Sequence, residues 1–518
     1  MHRVRRLHEL GQSVWLDYLD HPILATNELR RMIREDGVTG VTSNPTIFQK
    51  AIASSSDYDA RIQSAPPSEN DARVLEAIMT ADLALACDEL RATYEQTDGR
   101  DGFASIEVSP GVAEDTAATV EEALRLWNAI DRANLMVKIP GTRAGLPAIE
   151  SCLAHGININ VTLLFSVARY REVMEAWLRA LEHRVACNEP IEHIASVASF
   201  FVSRVDTKVD PLLDAKHARD LRGRIAIANA KAAYEIYEHM LSSERWKKLA
   251  SKGARPQRLL WASTTPKDPA YRDLHYADGL IGRDTIDTMT RETLAAFLDH
   301  GSPSPTLIEE RSRAHEDLAT LPKLGIQLER VTDQLEDEGV AAFGASYEKA
   351  IHSIAEKRRK TPRRESMKLS DIMQRNVQVV SGDASVREAA KMMSASDVGV
   401  LPVRVGDRVT GMVTDRDVVV RGIAQGVDLD RTRVVEIMTH EVESAYDDES
   451  IEEAAQRMSE RQIQRLLVMA RDGKLVGIVS LGDLARARTS PAAARALEEI
   501  KGPTKVSAAG ANGAHLER

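Results

Sequence analysis

The chain has 518 residues, 43% of them hydrophobic and 28% charged, the balance of a soluble globular protein with apolar material for roughly two to four domains. A net charge of −10 gives it no general attraction for nucleic acid or an anionic membrane, so an anionic substrate would have to be held by local basic groups. Three widely spaced cysteines (Cys87, Cys152, Cys187) fit neither a disulfide framework nor a zinc site and point to a reducing cytoplasm; no run of about 18 apolar residues suits a membrane span, and no apolar stretch after the basic start suits a signal peptide.

Between about residues 10 and 300, short β-rich runs alternate with longer helical patterns, as parallel βα units do. Strands are expected at 14–19, 37–43, 102–108, 135–139, 156–164, 194–202 and 258–262, with an eighth near 277–281; helices include 71–94, 113–130 and 226–241. Eight such units predict a (β/α)8 TIM barrel. A helical region at 305–355 follows and ends in the basic run 357–364, which reads as a solvated linker; a nucleic-acid patch would call for interleaved aromatic residues that it lacks.

Within the fourth strand, Lys138 interrupts the apolar run Leu135-Met136-Val137-Lys138-Ile139-Pro140. A buried ammonium is strongly disfavoured, so a lysine here should titrate low and serve as a nucleophile toward a carbonyl; the alternative is a strand-end lysine reaching solvent. Period-two alternation puts Ser105 and Glu107 on one face of the third strand and Asn160 and Thr162 on one face of the fifth. Their apolar neighbours belong under helices, so these polar groups, with Lys138 and Asp17, should project into the lumen near the C-terminal strand ends, where barrel enzymes build active sites. Schiff-base aldol chemistry needs such a set: Glu107 with Thr162 can move protons while a carbinolamine loses water, and Asp17 can take the hydroxyl proton as a carbon–carbon bond breaks.

The motifs Gly40-Val41-Thr42-Ser43-Asn44-Pro45-Thr46, Val137-Lys138-Ile139-Pro140-Gly141-Thr142, Asn158 through Ser166 and Ser196 through Asp206 occur in this order, and residues from about 7 to 357 resemble the transaldolase family in its longer bacterial form. The resemblance implies a class I Schiff-base enzyme that transfers a dihydroxyacetone unit between sugar phosphates in the non-oxidative pentose phosphate pathway (sedoheptulose 7-phosphate and glyceraldehyde 3-phosphate to erythrose 4-phosphate and fructose 6-phosphate). Carried over by position, Lys138 would form the Schiff base, Glu107 and Thr162 would handle the catalytic water, and Asp17 would be the acid/base. Asn44, Asn160, Ser105 and Ser199 would bind substrate hydroxyls or support the lysine, and Arg204 would bind phosphate. An arginine of shorter relatives is missing from the loop 261–267, where Ser263 and Lys267 are candidate substitutes. Asn44 before Pro45 could instead form a turn, Arg204 could pair with Asp206 or Asp210, and Lys267 could be merely exposed. Catalysis should need no metal and no cofactor.

Beyond the linker the sequence repeats itself: Asp371-Ile372-Met373 returns as Glu436-Ile437-Met438, Ser385 through Ala390 as Ser450 through Ala455, and Gly411-Met412-Val413-Thr414 as Gly477-Ile478-Val479-Ser480, offset by 65 or 66 residues. Each copy reads as strand, helix, strand, strand, helix, a smaller α/β pseudo-symmetric pair. Residues 368–488 resemble a pair of cystathionine-β-synthase-type (CBS) motifs. The resemblance implies adenine-nucleotide binding (AMP, ADP or ATP), with Thr414 and Ser480 toward phosphate or ribose, Asp417 and Asp483 toward ribose hydroxyls, and Arg416 adding charge to one site. Asp417 and Asp483 could equally cap helices, and the pair could serve only for dimerisation.

The expected organisation is thus a barrel with C-terminal helices at 1–356, a linker at 357–367, the CBS pair at 368–488 and a flexible tail at 489–518. The leading reading is a cytoplasmic, homo-oligomeric transaldolase acting on sugar phosphates, with no nucleic-acid or membrane partner and with an adenine nucleotide as regulator. The alternatives are a catalytically inactive nucleotide-sensing scaffold, an active enzyme whose CBS pair only dimerises, and a plain aldolase releasing free dihydroxyacetone.

Overall fold

The structure, a computed structural model, describes residues 2–66, 68–360, 367–440 and 442–486, and the chain divides into two compact units, Met1–Lys360 and Thr361–Arg518. In the N-terminal unit the alternating runs become eight parallel strands: β1 (Gln12–Asp17), β2 (Gly40–Thr42), β3 (Ala104–Glu107), β4 (Leu135–Pro140), β5 (Ile159–Leu164), β6 (Ser196–Phe201), β7 (Arg258–Ala262) and β8 (Thr285–Met289). They hydrogen-bond in sequence order, and β8 closes the barrel on β1 through Trp15 opposite Thr288. The principal helices around them are α1 (Pro45–Ser54), α2 (Asp71–Gln96), α3 (Thr116–Ile130), α4 (Gly145–Ala154), α5 (Val167–Ala186), α6 (Ser203–Ala215), α7 (Ile225–Ser242) and α8 (Arg291–His300). Several begin at side-chain caps: Asn44 accepts from the Ile47 amide, Asn70 from Arg73, Asp115 from Ala118 and Ser166 from Arg169. β4, β5 and β6 are buried throughout, because lumen packing covers one face and helices the other.

The eighth strand departs from expectation. Residues 277–281 do not form it: Ala277 lies in a short helix, His275–Gly279, and Leu280 and Ile281 are buried just after it. The strand is Thr285–Met289, whose polar residues disguised it. Gln12 donates to the Thr285 hydroxyl at 3.0 Å, Thr264 donates to Asp287 at 2.9 Å, and the Thr288 and Thr42 hydroxyls meet at 2.9 Å. Internal hydrogen bonds make polar groups acceptable on a strand buried from end to end.

A long helix, α9 (Leu328–Lys360), packs over α1, α2 and α6 and touches β5. It is fastened by Thr46 donating to Ser346 at 2.8 Å and by the ion pairs Arg169–Glu336 at 3.2 Å and Lys208–Glu338 at 2.6 Å. β5 carries a bulge where α9 meets it. The register shifts between Val161 and Leu164, and Leu163 takes a left-handed φ of 58° that a branched side chain rarely adopts. Gly339 of α9 makes room for that side chain, since a Cβ there would lie 2.9 Å from Leu163 Cδ2. The basic run is in part structural: α9 continues through it to Lys360, Lys357 pairs with Asp59 at 2.5 Å, and Arg358 pairs with Asp71 at 2.6 Å. The expected solvated linker therefore cannot start at Lys357; residues 361–366 and the tail at 489–518 lie outside the described residues.

The C-terminal unit holds two three-stranded sheets, β9 (Val380–Ser381), β10 (Val400–Val405) and β11 (Arg408–Thr414), then β12 (Ser444–Tyr446), β13 (Arg465–Met469) and β14 (Leu475–Ser480). The helices α10 (Val386–Ser396) and α11 (Ile451–Glu460) both start in a Ser–Glu capping box. The repeated motifs interlock reciprocally. Leu369 packs in the core of the second copy, while Val434, Ile437 and Met438 pack in that of the first. A Cβ on Gly477 would meet the Met373 sulfur at 2.5 Å, and one on Gly411 the Met438 sulfur at 2.6 Å. Each glycine thus admits the methionine that introduces the other repeat. Among the described residues no helix is long and apolar enough to cross a membrane.

Candidate active site

Strand register assembles the lumen. Glu107 lies opposite Lys138, Lys138 opposite Asn160, and Asp17 opposite Thr42, so side chains distant in sequence project together at the C-terminal strand ends. Lys138 is 5% exposed and does not reach out to solvent: its Nζ donates to the Ser43 carbonyl at 3.0 Å and stands 3.2 Å from Glu107 Oε2. Burial pushes the Glu107 carboxyl above the usual carboxylate range, an effect that the Lys138 charge partly offsets. Asp17 is likewise raised by burial, against Lys138 and the hydrogen bonds of Thr42 at 3.1 Å and Asn44 at 3.4 Å. Thr162 is buried on the bulged strand, and its hydroxyl has no hydrogen-bond partner among the described residues. An orphan hydroxyl at this depth suits an incoming group or a water.

Above these residues opens a cavity of about 560 Å³, lined by Asp17, Asn44, Lys138, Thr162, Ser199, Arg204, Ser263 and Lys267 among the expected residues. Glu107, Ser105 and Asn160 lie outside its lining. Ser199 donates to Asn160 Oδ1 at 2.6 Å and Asn160 Nδ2 donates to Ser105 Oγ at 3.1 Å, so this chain of bonds runs beneath the floor and orients Ser199. Asn44 caps α1 and also reaches Asp17, which joins the turn reading to the site reading.

Arg204 does not pair with Asp206 or Asp210. Asp206 accepts from the Ala226 amide and the Tyr276 hydroxyl, and Asp210 from the Gly223 amide and the Tyr271 hydroxyl. The Arg204 guanidinium instead lies 5.4 Å from the Phe201 ring centroid at the cavity wall, its pKa lowered by burial. Lys267 is exposed at the same rim; partial burial, then the Arg204 charge, lowers its pKa. Ser263 turns the loop with a left-handed φ of 56°, and its hydroxyl meets that of Ser203, at the start of α6, at 3.0 Å. Two cations and a hydroxyl at one end of a cavity make a place for an anion.

The structure adds Thr42, Thr288, Tyr18, Arg291 and Phe343 to the lining. Thr42 stands within a motif already singled out. Thr288 and Arg291 follow from the true position of β8, and Phe343 comes from the middle of α9, where no local pattern marks it.

In the C-terminal unit, Thr414 and Asp417 bind each other, and so do Ser480 and Asp483. The Thr414 hydroxyl donates to Asp417 at 2.7 Å and accepts from its amide at 3.2 Å; the corresponding distances for Ser480 and Asp483 are 2.6 and 3.3 Å. Arg421 pairs with the other Asp417 oxygen at 3.3 Å, while Arg416 is exposed.

The sequence model of the Transaldolase/Fructose-6-phosphate aldolase family matches residues 14–354, and that of the CBS domain matches 369–422 and 434–490. The chain is 44% identical over 369 residues to the transaldolase of Trichodesmium erythraeum (strain IMS101), a match covering 68% of this chain and 97% of that protein. It is 45% identical over 358 residues to the transaldolase of Thiobacillus denitrificans (strain ATCC 25259 / T1), covering 68% and 100%. Among solved structures, a putative signal-transduction protein with CBS domains from Burkholderia ambifaria MC40-6 is 34% identical, covering 22% of this chain and 82% of that one with a TM-score of 0.21.

Proposed function

The chain belongs to the transaldolase/fructose-6-phosphate aldolase family and is a transaldolase carrying a CBS pair, and from that premise we propose that it moves a dihydroxyacetone unit from a ketose phosphate to an aldose phosphate through a Schiff base on Lys138. The observation that carries this assignment is the buried Lys138–Glu107 pair at 3.2 Å, beside the unpartnered Thr162 hydroxyl and below a cavity with cations at its rim.

Lys138 gives a proton to Glu107 and attacks the C2 carbonyl of the donor. The carbinolamine hydroxyl leaves as water on a proton returned by Glu107, with Thr162 holding that water. Asp17 takes the proton of the C4 hydroxyl, the C3–C4 bond breaks, the aldose phosphate departs as an aldehyde, and the electron pair stays on the dihydroxyacetone enamine. An acceptor aldehyde then traverses the same steps in reverse. Arg204, Lys267 and Ser263 hold the phosphate in both halves of the cycle, and Ser199 and Asn44 hold hydroxyls. Transfer from sedoheptulose 7-phosphate to glyceraldehyde 3-phosphate, giving erythrose 4-phosphate and fructose 6-phosphate, fits this geometry and belongs to the non-oxidative pentose phosphate pathway. Cytoplasmic residence and a homo-oligomeric state complete the reading; the free thiols Cys87 and Cys152, both buried, are at home in a reducing compartment.

Reduction with borohydride in the presence of fructose 6-phosphate should add one dihydroxyacetone unit at Lys138, and Lys138→Met should abolish both trapping and transfer. Trapping elsewhere, or transfer surviving in Lys138→Met, would refute the assignment.

For the C-terminal unit, the Thr414–Asp417 and Ser480–Asp483 pairs are adenine-nucleotide ligands in this reading, and Arg416 adds charge at one of them. A second reading, an assembly module without nucleotide, draws support from the same side chains, since each pair already satisfies itself in a capping box.

A further inference from the structure

Asp17 sits on β1 between β2 and β8, and a hydroxyl arrives from each of those strands. Thr42 Oγ1 is 3.1 Å from Asp17 Oδ1 and 2.9 Å from Thr288 Oγ1. Thr42 and Thr288 both line the cavity, and Thr288 is 5% exposed. A hydroxyl has one proton to give and two lone pairs, while an ionised carboxylate only accepts. Thr42 must therefore spend its proton on the Asp17 carboxylate, and the proton between the two threonines must come from Thr288. The direction of both bonds follows from the charge on Asp17.

We propose that Thr288 and Thr42 form a hydroxyl relay that positions Asp17 and follows its charge through the reaction. The proposal rests on the assignment of Asp17 as the acid/base above. When Asp17 takes the substrate proton on Oδ1, it becomes a donor to Thr42, Thr42 turns to donate to Thr288, and Thr288 turns its proton into the cavity. No proton travels along the relay: each threonine keeps its own and rotates. Both forms of Asp17 then have a partner, so neither is stranded in a buried site. Thr288 and Thr42 are positioning residues and do not exchange protons with substrate.

The charged groups that act on Asp17 are Lys138 from β4, Glu107 from β3, Arg204 at the start of α6 and Lys267 from the loop after β7. Among the described residues none of them hydrogen-bonds to the Thr42 or Thr288 hydroxyl. Burial raises the Asp17 pKa and the Thr42 bond lowers it. Loss of Thr288 releases Thr42 from its forced orientation, weakens that bond and lets the Asp17 pKa rise further. Bond cleavage needs Asp17 ionised, so the acid limb of the rate profile must move to higher pH.

The test is the pH dependence of kcat for transfer from fructose 6-phosphate to erythrose 4-phosphate in the full chain, its Thr288→Val and Thr288→Ser variants, and Thr42→Val, with borohydride trapping at Lys138 recorded for each. Thr288→Val should move the acid limb up by about half a unit or more, with a loss of kcat at the acid end at least about threefold greater than the loss at the plateau. Thr288→Ser should keep the parent limb, and Thr42→Val, which deletes the direct donor, should move it the same way even if Thr288→Val does not fold. A parent limb in either valine variant, or a serine variant displaced as far as the valine one, overturns the relay. Absence of trapping in the parent chain would sink the Schiff-base assignment and the relay with it.

Discussion

Arg204 forms no salt bridge among the described residues, and its guanidinium lies 5.4 Å from the ring centroid of Phe201. A half-buried guanidinium with no carboxylate within salt-bridge distance among the described residues is incomplete until an anion arrives, so most of its contribution should appear as binding of the phosphate. Arg204→Ala should raise KM for fructose 6-phosphate by roughly 10- to 100-fold, leave kcat within about threefold, and change little for unphosphorylated fructose. Steady-state kinetics with the two sugars decides it, and an equal loss for both would remove Arg204 from the phosphate site. At this scale much of the site could be read from residue types alone. Lys138 declares itself as a charge in an apolar strand, and Glu107 and Asn160 declare themselves by alternation. Thr288 and Arg291 escaped because the eighth strand reads as polar sequence, and only the partners of Thr285, Asp287 and Thr288 in the folded barrel make those polar residues tolerable.

At the scale of elements, the informative contact is between β5 and α9. Leu163 holds a left-handed backbone beside Thr162 and fits against Gly339, so the helix braces the bulge in which Thr162 lies. Gly339→Val should displace Leu163, cost about 1–3 kcal/mol of stability and lower kcat by roughly tenfold through Thr162. Gly344→Val makes the control, because the nearest atom to a Cβ there is Pro110 Cβ at 3.9 Å. Thermal melts and kcat for both variants check this; equal behaviour would mean that α9 does not brace the bulge. Composition and periodicity gave a helical region at 305–355, but amphipathicity says only that a helix has a buried side. That its buried side includes a wall of the active site depends on Phe343 reaching the cavity, a contact between residues far apart in the chain.

At the scale of the whole molecule, the reciprocal Met373–Gly477 and Met438–Gly411 contacts explain why the repeat comes as a pair: neither copy completes its packing without the segment that precedes the other. Should the pair bind nucleotide, equilibrium dialysis of the full chain with AMP, ADP or ATP should show saturable binding, and Asp417→Asn with Asp483→Asn should reduce it at least tenfold (about 1.4 kcal/mol). No binding of the three nucleotides at millimolar concentration would leave the assembly reading in place. The wall supplied by α9 also sets the order in which the enzyme can mature during synthesis. Asp17 leaves the ribosome early, whereas Phe343 follows roughly 330 residues later, on the order of 15–60 s at about 5–20 residues per second. Until then eight strands and most of the candidate catalytic side chains stand below a cavity that lacks Phe343 in its wall, and the nascent chain must carry the apolar surface that α9 later covers. The repeat is translated after the last wall, so a chaperone that protects this protein should be engaged before the ribosome reaches the repeat and released while it is being made.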